Sequence, residues 1–255
     1  MWSYNPVYVI SGSVWPILVS LSIFNLILGI AVQGLWGLVV YMIVLILSVV
    51  GWVLDSCFEL NVLGYSSEQD KTFDSMGVLL IILSEAMLFA GLFWVLLQVS
   101  LEGSVGSGFV WHNVSGVEVD VMDMPLLISV VLLSSGVGIT WAHSAIYLGD
   151  FKGFVMGYMV AILLGVVFLL LQWHEYSNLG MVLSGGMMPS MFYTLTMFHG
   201  SHVLLGVMIN VIALVVSVNW STSLSYSGLE ISMWYWHFVD VVWLMLFMLL
   251  YWFSM

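Results

Sequence analysis

The sequence predicts an all-α membrane protein, a bundle of seven transmembrane helices. Three observations predict it. First, 62% of the 255 residues are hydrophobic and only 6% are charged, whereas a soluble domain carries about 25% charged residues. So few ions cannot cover a water-exposed surface of this size, and the mean hydropathy is +1.14. Second, residues 154–171, 203–218 and 241–253 hold no ion at all. Third, these runs do not alternate polar with apolar as barrel strands do. Helices and closed barrels are the only backbones whose hydrogen bonds close within lipid, so the runs read as spanning helices.

The spans follow in order. The first begins at Trp15-Pro16, where proline suits a first helical turn, and ends near Gln33. Gly34 to Gly37 reads as a tight hairpin, and the second span runs from about Leu38 to Phe58. The polar stretch Glu59 to Asp74 precedes a third span from about Ser75 to Val99. The longest hydrophilic segment, Ser100 to Asp123, leads to span four at Pro125 to Leu148. A short turn at Gly149 to Lys152 opens span five, Gly153 to Trp173. His174 to Pro189 reads as a Gly/Ser-containing connection, and span six as Ser190 to Asn219. Ser-rich Trp220 to Gly228 precedes span seven, Leu229 to Phe253. Trp52, Trp111, Trp173, Trp220 and Trp252 fall near these ends, as interfacial belt residues do. The whole chain reads as a single membrane domain without repeats. A seam between spans two and three would divide it into a two-helix piece (1–58) and a five-helix piece (75–255).

Charge narrows the function classes. Two lysines oppose fourteen acids, for a formal charge of −12, and there is no arginine. A surface that tracks nucleic-acid phosphates is excluded. The single cysteine, Cys57, excludes an internal disulfide and a multi-cysteine metal site. Gly103 to Gly108 has no lysine behind it and is not a phosphate loop. No nucleophile stands beside a base, so no catalytic residue is assigned. Met1 to Ser13 has neither the positive start of a secretory signal nor the basic amphipathic pattern of a transit segment. Lys71 and Lys152 fall in loops on one side of a seven-span chain, and the positive-inside rule puts that side, with the N-terminus, on the cytoplasm-like face.

Ionisable groups within spans face a bundle interior or water. Glu85 in Ser84-Glu85-Ala86-Met87 is the clearest. It reads either as a proton- or lipid-contacting carboxylate or as a neutral acid bonded between helices. Asp55 and Glu59 are four apart and share a helix face, which calls for water, protonation or an outside cation. His199 and His202 are three apart on one face, which suits metal ligation or hydrogen-bonded packing. The Glu-x-x-His pairs of a di-iron bundle are absent. His237 and Asp240 are also three apart and can bond along their helix or relay protons. His143 stands alone and should bond a neighbouring helix.

Four strings taken together closely resemble the family of cytochrome c oxidase subunit III, mitochondrial type. They are Ser84 to Trp94 (SEAMLFAGLFW), Ser135 to His143 (SGVGITWAH), Phe198 to Val203 (FHGSHV) and Trp234 to Leu244 (WYWHFVDVVWL). Trp15-Pro16, Trp52-x-x-Asp55-x-x-x-Glu59, Pro125-Leu126-Leu127, and Gln172 with Glu175-Tyr176 match more weakly. The resemblance implies a V-shaped cleft between helices 1–2 and helices 3–7, occupied by phospholipids. It implies no cofactor or metal on this chain. Haem and copper would sit in partner subunits I and II, which pass electrons from cytochrome c to oxygen and pump protons, with accessory subunits around them. Subunit III would retain lipid, maintain proton uptake and stabilise the complex. The setting would be the mitochondrial inner membrane, with the N-terminus on the matrix side. By the same resemblance Glu85 is the buried carboxylate of helix three. Glu59, Trp52 and His202 lie near the lipid cleft, and His237 and Asp240 form the helix-seven motif.

The chain departs from the family where arginines and a histidine pair are common after helix two. Phe58, Tyr65 and Ser66 stand there, and Ser144 replaces a second histidine after His143. Positive charge for lipid phosphates would then come from neighbouring subunits or lipid amines. A stand-alone proton or solute transporter using Glu85 and His237/Asp240 is the competing reading, although no span is broken by a mid-membrane proline. Subunit III of a quinol oxidase is the narrower alternative.

Overall fold

The computed structural model describes residues 12–32, 35–61, 68–102, 121–180, 182–219 and 226–252. Within them lie seven α-helices: α1 (Trp15–Val32), α2 (Leu35–Asn61), α3 (Glu68–Glu102), α4 (Met124–Tyr147), α5 (Phe151–Asn178), α6 (Met187–Asn219) and α7 (Tyr226–Leu246). A π-helical turn, Phe247–Trp252, continues α7. Six helices are long and apolar enough to cross a membrane, and α1 contributes a shorter apolar stretch, Trp15–Gly29. The chain is a multi-pass helix bundle, as its composition requires.

Several boundaries differ from the expected ones. Gly37 is helical, because α2 already begins at Leu35. The third helix starts at Glu68, not near Ser75, so Asp70, Lys71 and Asp74 are helical and not loop. The fifth helix runs to Asn178 and takes in His174 to Asn178, expected as connection. Asn178 Nδ2 and His174 Nε2 lie 3.0 Å apart across one turn, which supports that extension. The expected loop around Trp111, together with Tyr65, Ser66 and Trp220, lies outside the described residues.

Contacts divide the chain into two compact units, Met1–Asp70 and Lys71–Met255. In the first, α1 and α2 are antiparallel neighbours. Trp15 lies across Gly51, where any Cβ would strike its ring, and its Nε1–H donates to Asp55 Oδ2 at 3.1 Å.

The second unit buries a continuous core drawn from α3 to α7 and the π-turn. The helices α4 and α5 join through a glycine-terminated turn. Gly149 has φ +74°, its N–H bonds Ile146 O, and Asp150 N–H bonds Ala145 O. That is the double bond pattern of a Schellman cap. Their faces then meet through small residues at four-residue spacing, Gly138 and Ala142 against Gly157 and Ala161. Trp236 and Trp243 of α7 are fully buried. Their ring N–H groups donate to Ser135 Oγ and Ser129 Oγ of α4, each at 3.0 Å. An indole in hydrocarbon needs such an acceptor, and the serines of α4 supply it. In the π-turn both Leu250 and Tyr251 are buried. Tyr251 reaches toward α5, where its hydroxyl meets Glu175.

Candidate functional site

Most of the polar groups that the sequence singles out fall at separate places in the second unit, while Asp55 and Glu59 belong to the first. Glu85 projects from α3 and meets His202 of α6, with Oε2 3.0 Å from Nε2. The other ring nitrogen, Nδ1, lies 2.7 Å from Phe198 O. A carbonyl only accepts, so Nδ1 carries a proton. One further proton must then lie between Nε2 and Glu85, whichever of the two groups holds it. Phe89 packs edge-on against the His202 ring at 5.1 Å, shielding the pair on one side. Glu85 is half-buried among exposed Leu83, Met87 and Leu88. The pair therefore shares a proton beside an exposed apolar surface.

Replacing Glu85 with leucine leaves His202 Nε2 without its partner and should destabilise the unit by about 1–3 kcal/mol. Glu85→Gln retains a hydrogen-bonding partner and should recover most of that loss. Thermal unfolding of the two variants in detergent measures the difference, and equal melting temperatures would refute the pairing.

His199 and His202 do not act together. His199 is 1% exposed and turns inward, with Phe168 edge-on at 5.6 Å and Trp243 at 5.1 Å. Neither of its nitrogens has a hydrogen-bond partner among the described residues. The shared face expected from the spacing separates into an inward and a lateral position.

His237 Nδ1 lies 3.8 Å from Asp240 Oδ2. That distance is too long for a hydrogen bond, so the expected bond along the helix is replaced by a looser contact. Asp240 is buried and its Oδ1 has no partner among the described residues. Its other oxygen lies so close to Gly136 of α4 that no side chain could stand there. His143, expected to bond a neighbouring helix, instead packs edge-on against Tyr147 of its own helix at 5.0 Å.

In the first unit Trp52 is exposed on α2. Asp55 holds the Trp15 indole, which gives that carboxylate a donor without any cation. The helix α2 carries Glu59, but its side chain lies outside the described residues.

Sequence reasoning undervalued Glu175 by placing it in a loop. It is 4% exposed and closes the inner end of α5. Gln172 Nε2 donates to its Oε2 at 3.0 Å. Tyr251 OH lies 3.1 and 3.2 Å from its two oxygens. The next residue, Tyr176, donates its OH to Thr196 Oγ1 at 2.7 Å. The signal was present: the buried stripe Ala161, Gly165, Phe168 continues in helical register to Gln172 and Glu175.

Among the described residues no group of three or more His, Cys, Asp or Glu is placed to hold a metal ion. What these groups can do is hold protons, accept hydrogen bonds and fix helices against one another.

A family model described as cytochrome c oxidase subunit III matches residues 5–255. Curated relatives agree. The cytochrome c oxidase subunit 3 of Myxine glutinosa is 34% identical over 253 residues, covering 96% of each chain. That of Schizophyllum commune is 33% identical, covering 96% of this chain and 94% of its own. That of Equus caballus is 33% identical, covering 96% of each.

Proposed function

Because the chain belongs to the cytochrome c oxidase subunit III family, we propose that it is the non-redox core subunit of a mitochondrial oxidase complex, one that holds phospholipid and stabilises its companions. The observation that carries this reading is the extent of the match, residues 5–255. Subunits I and II would supply haem and copper, take electrons from cytochrome c and pump protons. Lipid would lie on the exposed apolar faces, beside Glu85 on α3 and Trp52 on α2. With no arginine and two lysines, the chain would leave lipid phosphates to cations of neighbouring subunits. The reading places it in the inner membrane with the N-terminus and both lysines on the matrix side.

Purification in mild detergent tests this. The chain should travel with haem- and copper-bearing subunits, and the isolated chain should bind neither. Complex depleted of it should still pass electrons from cytochrome c to oxygen, while losing phospholipid and inactivating faster in turnover. Recovery as a free monomer that carries protons or solutes in liposomes would overturn the reading and restore the transporter. Oxidation of quinol but not cytochrome c would place it in a quinol oxidase.

A further inference from the structure

Two contacts at different heights fix the register of α5 against α6. Tyr176 OH bonds Thr196, and farther along a Cβ on Gly165 would meet Val207 at 2.9 Å. The helices run antiparallel, so the residues between these two contacts pair in reverse order. Gln172, one turn back from Tyr176, therefore falls level with His199, one turn on from Thr196. The Phe168–His199 ring contact confirms that α5 borders His199 at this height.

Both side chains are buried, Gln172 at 4% and His199 at 1% exposure. The Gln172 Nε2 group donates to Glu175, and its Oε1 has no partner among the described residues. Turning the amide round would change which atom is left over, not whether one is. Both ring nitrogens of His199 are likewise without a partner among the described residues. Three groups bordering the seam are already engaged or apolar. Trp243 directs its only N–H to Ser129. Thr196 Oγ1 donates to Phe192 O and accepts from Tyr176. Phe168 has no polar atom. Unpartnered polar groups are disfavoured in any apolar interior, and most of all within a membrane.

We propose that the α5–α6 seam binds an internal water molecule at this level, donating to the free amide atom of Gln172 and bonded to a ring nitrogen of His199. Water is the ligand whose chemistry fits. It both donates and accepts, as a neutral imidazole and an amide oxygen together require. The site offers only neutral groups, too few for a metal ion. Such a water completes a hydrogen-bonded chain from His199 through Gln172 and Glu175 to Tyr251. It ties α6 and α5 to the π-turn. The inference concerns the chain's own helices and stands or falls separately from the oxidase assignment.

A map of the intact native complex, at a resolution where ordered waters are visible, tests it. Density about 3 Å from both the Gln172 amide and a His199 nitrogen is expected. His199→Phe supplies the second arm, since it keeps the ring and removes the nitrogens. A bound water would lose a partner, and the subunit's melting temperature should fall by about 2–4 °C. The proposal is overturned by an empty seam, by a direct His199–Gln172 bond, or by a His199→Phe subunit as stable as the wild type or more so. If the variant does not assemble, the native map decides alone.

Discussion

Replacing Trp236 with alanine should be the most damaging single truncation in the second unit, at about 3–5 kcal/mol. The indole is fully buried and touches three other helices. Its N–H reaches Ser135 of α4. Its ring fills space left by two glycines: a Cβ on Gly165 of α5 would come within 2.7 Å of it, and one on Gly206 of α6 within 2.9 Å. Between helices in lipid the hydrophobic effect gives little drive, and packing contact with interhelical hydrogen bonds takes its place. Removing the ring forfeits contact with α5 and α6 and the bond to α4 at once. Ser135→Ala isolates the bond and should cost only about 1–3 kcal/mol, since it leaves the N–H unpaired. Thermal unfolding of the detergent-purified complex, read by loss of this subunit, orders the two. A Trp236→Ala subunit no less stable than Ser135→Ala would show that the ring is not the junction of these helices.

Much of the bundle was legible because lipid tolerates so few backbones. Long ion-free runs had to be helices, and seven were found where seven were expected. What escaped lay at the ends. Polarity was read as loop at Glu68 to Asp74 and again at His174 to Asn178, whereas helices extend through both. In the second case the polar side chains are satisfied inside the protein, Glu175 by Gln172 and Tyr251. Hydropathy alone does not register that kind of pairing. The π-turn was equally silent, since nothing in FMLLYW distinguishes it from ordinary apolar helix. Tyr251 within it nevertheless meets Glu175. The two histidines separate for a geometric reason. Residues three apart differ by about 60° around a helix. In a closed bundle that is enough to send His199 toward Trp243 and His202 toward Glu85. The family resemblance identified Glu85, His202, His237 and Asp240 as matching positions, but it could not show that the last two stand 3.8 Å apart.

The close approach of α4 and α5 gives the second large expectation, and it is directional. A Cβ on Gly157 would lie 2.7 Å from Gly138 O and 2.8 Å from both Ala142 N and Ala142 Cβ. Two of these are backbone atoms, so no rotamer change relieves the clash and the helices must separate. A Cβ on Gly138 would meet Gly157 O at 3.1 Å and Ala161 N at 3.3 Å, distances that a small shift can absorb. Gly157→Ala should therefore cost about 1–3 kcal/mol, toward the upper end of what overpacking does, and Gly138→Ala distinctly less. Gly157→Val adds branched bulk at the same point and should prevent stable assembly. Because the α4 serines that hold Trp236 and Trp243 move with that helix, separation at Gly157 should also loosen α7. Tryptophan fluorescence of the Gly157→Ala complex would then shift along with its melting temperature. If Gly138→Ala proved the more harmful of the two, α5 would not be approaching α4 most closely at Gly157, and the register of the whole pair would have to be redrawn.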